Sequence, residues 1–441
     1  MVDLGSPYKG YLYAYPHKTA YRPLRPRPRL ADVWAGEPVE ALFLYVHVPF
    51  CEMRCGFCNL FTRTGVDQDQ VGAYLTQMRR QAGRVAAALP AGARYARAAI
   101  GGGTPTYLTA GELTALFDLL EETTGTDLRA VPLSVETSPA TATADRLAVL
   151  LERGTTRISI GVQSFLDTEA RTAGRPQRRA EVDRALDTIR AAGPADLNVD
   201  LIYGIPGQTP DTWAYSLRTA LDWRPEELYL YPLYVRPLTG LGRRGVARRA
   251  DDGPDPAWDA HRLTLYRHAV ALLTDAGYEQ LSMRAFRRRD APPVDGPGYC
   301  CQDDGMVGLG CGARSYTSGL HYSFDYAVSV RQVRGILDDY LGRPAEDFDG
   351  AEAGFVLDAA EQRRRWLLQS LLRAEGIMPG AYRHRFGTGV DDDFPALDEL
   401  REAGYLDGHR LTAEGLAHAD AIGPWLVSAG VRAAMAGHVA R

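Results

Sequence analysis

The sequence predicts an α/β protein built on a parallel β/α barrel, complete or partial, with a smaller unit behind it. Three observations lead there. β-Branched and aromatic runs alternate with helical patterns six times, which calls for parallel strands joined by right-handed crossovers. Several of those runs are apolar nearly throughout, as strands are when both faces are covered. Polar residues collect at the carboxyl ends of successive strands, the layout of a barrel mouth. A dinucleotide-binding sheet would instead need Gly-x-Gly-x-x-Gly straight after its first strand, and here that place holds cysteines.

The elements follow in order. Strands are expected at "LFLYVHV" (42–48), "YARAAIG" (95–101), "VPLSVET" (131–137), "RISIGVQ" (157–163), "LNVDLIYG" (197–204) and "EELYLYPLYV" (226–235). Between them, "TADRLAVLLERG" reads as a helix with Leu147, Leu150 and Leu151 on one face, Thr143 at its start and Gly154 at its end. His47 and three cysteines follow the first strand, "GGGTP" the second, Glu136 closes the third, Gln163 the fourth, and Asp200 comes late in the fifth. His47 also reads as a hydrogen-bonded core histidine.

The 441 residues are 45% hydrophobic and 24% charged, enough for a large core. A formal net charge of −5 argues against a general nucleic-acid binder. No apolar run reaches the ~20 residues of a membrane helix, and the N-terminus lacks the layout of a signal peptide. A reducing cytoplasm is therefore expected, where six cysteines are too sparse for a disulfide scaffold.

"FCEMRCGFCNLF" (50–61) gathers Cys51, Cys55 and Cys58 on one loop. Structural zinc wants four ligands, and no fourth His or Cys stands at a usual spacing. An iron–sulfur cube also prefers four thiolates but tolerates three when one iron is reserved for something else.

The spacing Cys-x3-Cys-x2-Cys, with Phe57 before the last cysteine, resembles that of radical S-adenosylmethionine (SAM) enzymes. "GGGTPTYL", "SVETSPAT", "RISIGVQSF", "NVDLIYGIPGQT" and the late "LTAEGL" occur in the order seen in the coproporphyrinogen dehydrogenase-like branch of that superfamily. The resemblance spans roughly residues 40–425 and implies a partial (β/α)6 barrel at 41–345, with a small, mostly helical winged-helix-like domain at 350–441. It also implies that Cys51, Cys55 and Cys58 hold a [4Fe–4S] cluster whose open iron binds SAM. The backbone of Gly101, Gly102, Gly103 and Thr104 would approach the methionyl part. Glu136 would accept from the SAM ammonium, supported by the Tyr45 hydroxyl, and Arg175 would pair with the carboxylate. Gln163 and Asp200 would bond the ribose, and Phe57 would pack near the adenine.

The mechanism implied is one-electron reduction, by a donor such as flavodoxin or ferredoxin, followed by SAM cleavage to a 5′-deoxyadenosyl radical that takes hydrogen from a small-molecule substrate. Methyl transfer, cyclisation or rearrangement in a biosynthetic pathway is the first reading. A class C methyltransferase would need a second SAM. The alternative is a haem- or tetrapyrrole-related protein, either coproporphyrinogen oxidase-like or a haem chaperone with little turnover. Against it, Leu60 stands where coproporphyrinogen oxidases of the branch carry a further cysteine, and no His-Asn-x-x-Tyr-Trp chaperone signature is present.

Two features stand apart. Cys300, Cys301 and Cys311 form a second trio, read first as small buried hydrophobes, otherwise as thiols near substrate that quench a radical or give up sulfur, and last as ligands to a second cluster, for which adjacent Cys300 and Cys301 are poor partners. Residues 1–40 carry five tyrosines with His17, Lys18, Arg22, Arg25, Arg27 and Arg29, an extended surface strap or a lid whose cations would favour an anionic substrate.

Overall fold

The computed structural model describes residues 2–193, 195–245, 255–293 and 304–438. Six parallel strands form its centre: β1 (Leu42–Val48), β2 (Tyr95–Gly102), β3 (Leu133–Thr137), β4 (Thr155–Gln163), β5 (Asp196–Tyr203) and β6 (Glu227–Pro232). They pair in chain order, each parallel to the next. Leu44, Val46, Ile100, Val135, Ile160 and Leu201 are buried along them. Pro232 ends β6 three residues short of the expected limit, since proline has no N–H for a ladder.

Helices on the outside connect the strands, and their ends follow local chemistry. Thr109 and Glu112 form a reciprocal capping box at the start of Ala110–Thr124, and Gly125 ends that helix at φ 65°. Ala144–Glu152 buries Leu147 and Leu150. Thr143 precedes it as expected, but its hydroxyl bonds the Asp145 carboxylate at 2.5 Å rather than the backbone. Gly154 follows at φ 88°.

The sheet does not close. Beyond β1 it continues through Met306–Leu309, which is parallel, then antiparallel through Arg314–Tyr316, Leu320–Ser323 and Ala353–Val356 to Arg22–Pro23. Beyond β6 it continues through Ala285–Arg288 and Tyr278–Gln280, both antiparallel. The result is the expected partial barrel, flanked by strands that the sequence reading did not place.

The C-terminal part is helical, with a two-stranded hairpin, Leu406–Asp407 and Arg410–Leu411, turning at Gly408 with φ 55°. Among the described residues no helix is long and apolar enough to cross a membrane.

The N-terminal arm runs over the carboxyl ends of the strands. Tyr8 packs edge-on to Tyr203 at the end of β5, its ring 4.1 Å from the Arg262 guanidinium. Gly10 donates its N–H to the Asp420 carbonyl at 3.2 Å, and Tyr11 lies 3.8 Å from the Arg284 guanidinium.

Candidate functional site

The carboxyl end of β1 runs through Pro49 into the cysteine loop, which is tied to its neighbours by backbone bonds. Gly103 N donates to Val48 O and Thr104 N to Phe50 O, both at 2.7 Å. Gly56 N donates to Gly174 O at 3.0 Å, and Leu241 N to Gly56 O at 2.7 Å. The loop is therefore clamped between the ends of β2, β4 and β6.

The glycines after β2 are required sterically. A Cβ on Gly103 would lie 2.5 Å from Phe50 O and 3.0 Å from Cys51 Sγ; one on Gly101 would lie 2.9 Å from the Glu136 carboxylate. Gly102 has φ +113°, and its Cβ would enter the His47 ring at 2.6 Å. His47 is the core histidine anticipated: buried, held by the Phe61 carbonyl at 3.0 Å, with Gly102 on one side and Gly312 on the other.

The three thiols have distinct surroundings. Thr104 Oγ1 donates to Cys51 Sγ at 3.5 Å, Arg175 Nη1 to Cys55 Sγ at 3.4 Å, and Cys58 Sγ lies 3.8 Å from Thr62 Oγ1. Burial pushes the Cys51 thiol up to about 12 and raises Cys55, against which Arg175 acts. Thiols so placed ionise only against a strong positive charge, and a coordinating metal deprotonates them outright. Among the described residues no three His, Cys, Asp or Glu side chains converge as ligands of a single ion. Three thiols spread over one loop, each beside a donor, fit a group with several metal atoms and do not fit one zinc.

Facing the loop across the barrel mouth are the remaining polar residues. Glu136 Oε2 accepts from Gly102 N at 3.1 Å. The carboxylate is open to the barrel interior but ringed by protein, so burial pushes it up to about 7, opposed by the Gly102 N–H. Asp200 accepts from Asn198 Nδ2 at 2.7 Å; burial raises it to about 6, with Asn198, Arg157 and Arg175 pulling the other way. Gln163 sits at a bulge where β4 shifts register against β5, in the left-handed region at φ 69°. A non-glycine residue held there stores strain of ~1–3 kcal/mol, which clusters at functional sites. Arg175 Nε donates to Gln177 Oε1 at 2.7 Å.

Cys51, Cys55, Cys58, the Gly101–Thr104 turn, Glu136, Gln163, Arg175 and Asp200 thus gather at one mouth. Phe57 is half-buried against Ile202, Ile205 and Leu233. Tyr45 lines the same interior, but its hydroxyl lies 3.4 Å from His47 Nδ1, and no bond from it to Glu136 is formed. Asn198 and Gln177 were missed; each lies two residues from a predicted one, Asn198 on the same strand face as Asp200. Cys311 is fully buried in the core beside the Tyr74 hydroxyl, as its first reading expected; Cys300 and Cys301 lie outside the described residues.

Comparison with known proteins agrees with this geometry. Residues 45–220 match the model of the radical SAM superfamily. The chain is 32% identical over 400 residues to the oxygen-independent coproporphyrinogen III oxidase of Escherichia coli, covering 86% of this chain and 84% of that protein. It is 28% identical over 374 residues to the E. coli heme chaperone HemW, covering 83% and 91%. The solved structure of coproporphyrinogen III oxidase (HemN) from E. coli, described as a radical SAM enzyme, superposes with a TM-score of 0.79 at 25% identity, covering 95% of this chain and 97% of that one.

Proposed function

The chain belongs to the radical SAM superfamily, in its coproporphyrinogen oxidase-like branch, and from that premise we propose that it is a SAM-cleaving oxidoreductase acting on a haem- or tetrapyrrole-related substrate. The observation that carries the reading is the clamped loop of three thiols opposite the glycine turn and Glu136. The relatives' names support a tetrapyrrole-related role over the methyl transfer or cyclisation expected first from the sequence. Leu60 is 47% exposed. The proposed site is built from Cys51, Cys55 and Cys58 without residue 60, so a leucine there leaves it whole.

Cys51, Cys55 and Cys58 would hold a [4Fe–4S] cluster, with Thr104 and Arg175 donating to the sulfurs. When bound, cluster and SAM supply a 5′-deoxyadenosyl radical on receipt of one electron from a donor such as flavodoxin or ferredoxin. The protein's part is placement. The glycines at 101–103 let the turn pack directly against Glu136, His47 and the cysteine loop; Glu136 would take the ammonium of the methionyl moiety, and Arg175 its carboxylate. Asp200 and Gln163 would take the ribose hydroxyls, and Phe57 with Ile205 would pack the adenine. The arm over the mouth would keep water from the radical.

The test is anaerobic: reconstitute with iron and sulfide, add dithionite and SAM, and assay 5′-deoxyadenosine by mass spectrometry. Wild type is expected to form it and Cys55→Ala to form none. A cluster-loaded wild type that makes none with any donor would favour the second reading, a carrier with little turnover, which the match along 91% of the heme chaperone supports.

A further inference from the structure

A cavity of about 440 Å3 lies between the N-terminal arm and the strands beyond β1, within the range of small-molecule sites. Its charged lining is Lys18, Arg25, Arg27 and Arg314, with Asp325 and Glu352 as the acids. Glu352 is taken up by Arg343 at 2.5 Å, with Arg27 at 4.0 Å, and Asp325 accepts from the Tyr326 backbone N–H at 2.9 Å. Arg25 is exposed to solvent, and of the sheltered cations Lys18 and Arg314 are left over. Neither forms an ion pair with a carboxylate among the described residues.

Their surroundings are unusual for cations. The Lys18 ammonium lies 3.4 Å from the centre of the Tyr326 ring, half-buried, and the charges acting most on it are Arg314, Arg236 and the Cys58 thiol. The Arg314 guanidinium gives Nη1 to the Tyr13 hydroxyl, while its buried Nε has no partner. The groups acting on Arg314 are the phenols of Tyr13, Tyr316 and Tyr21. His17, next in the arm, faces Lys18, Arg314, Arg236 and His438, all of one sign. Several cations held together without a carboxylate among them are costly unless an anion completes the cluster.

The place of the cluster in the molecule is equally specific. Tyr326, beneath Lys18, gives its hydroxyl to the Asn59 carbonyl at 2.6 Å, one residue past Cys58. Tyr45 packs in one cluster with Tyr13 and Tyr316, two of the phenols around Arg314, and its hydroxyl lies 3.4 Å from His47 Nδ1 beside the glycine turn.

We propose that Lys18 and Arg314 form the anion-binding end of the substrate site, taking an oxyanion of the substrate, carboxylate or phosphate, and so setting which part of it faces the radical. The proposal rests on the radical SAM reading and adds to it the residues that select the substrate. The arm then has a catalytic reason to cross the mouth, because it delivers Lys18. Guanidinium and ammonium differ in what they give: Arg314 offers a planar fork, Lys18 a compact charge on a cation–π seat.

The test uses full-length, cluster-loaded protein with SAM bound, in anaerobic calorimetry at low salt, with tricarballylate as the carboxylate probe and pyrophosphate as the phosphate probe. Wild type is expected to bind one of the two, and which one identifies the oxyanion. Lys18→Met and Arg314→Met are each expected to weaken that binding about tenfold or more, Lys18→Arg to restore most of it, and the exposed Arg334→Met to leave it unchanged. Equal cluster absorbance shows that the variants are folded. Neither probe binding to wild type, or both methionine variants binding like wild type, would overturn the proposal. Formation of 5′-deoxyadenosine by the same wild-type sample is read separately. Its absence counts against the superfamily chemistry, while its presence alongside a failed probe counts against the anion site alone.

Discussion

At the scale of single residues the decisive group is Glu136. Burial raises it to about 7 and Asp200 to about 6, because each carboxylate faces the barrel interior and, among the described residues, neither has a cation at bonding distance. A ligand bearing an ammonium would stabilise the charged form, so binding should release a proton wherever the free carboxylate still holds one. The sign follows: SAM affinity is expected to rise from about pH 6 to about pH 7.5, the upper limit being where an α-amino group begins to lose its own proton. Calorimetry at pH 6.5 in two buffers of different ionisation enthalpy would measure the released proton; Glu136→Gln should abolish most of it and flatten the profile. A profile unchanged in that variant would remove Glu136 from the ammonium site. The same shift makes the ligand-free protein lose stability as pH rises from about 4.3 to about 7, since the folded carboxylate binds its proton more tightly than the unfolded one.

At the scale of elements, the turn after β2 shows why the motif had to be glycine. Gly102→Ala would put a Cβ 2.6 Å from the His47 ring at a φ of +113°, and His47 cannot retreat because Phe61 O and Gly312 hold it. Strain and overpacking together should cost about 2 kcal/mol or more, seen as a lower urea midpoint, with poorer iron incorporation following from the displaced Cys51 side of the loop. Such features were legible in the sequence because each depends on local chemistry: the six strands from their apolar runs, the turn from "GGGTP", the thiols from their spacing. The strands beyond β1 and β6 were not. Met306–Leu309 and Arg314–Tyr316 are only four and three residues long, and they are strands because β1 and Leu320–Ser323 lie beside them, pairings that link distant parts of the chain. The Tyr45 hydroxyl was misassigned for a related reason: its partner was sought among the ligand groups, while His47, two residues away on the same face, was nearer.

At the scale of the whole molecule, one buried ion pair joins three parts. Arg284, just before the strand Ala285–Arg288, meets Asp420 of the C-terminal helix Ala419–Leu426, and both are almost fully buried. The Tyr234 hydroxyl, just past β6, donates to the same carboxylate, and Tyr11 of the arm covers the guanidinium at 3.8 Å. Removing one partner leaves the other buried and uncompensated, so Asp420→Ala is expected to destabilise the protein by about 3–5 kcal/mol. Local release should show as well: the arm, having lost Tyr11's seat, should be cut faster by protease within residues 1–40 than in wild type. Replacing both partners with apolar residues, Arg284→Met with Asp420→Leu, should recover much of the global stability, because the desolvation cost disappears with the charges. It should not restore the arm, whose ring needs a cation beneath it. If the double variant protects the arm as wild type does, Tyr11 is held by packing alone, and the arm's position over the mouth owes nothing to this pair.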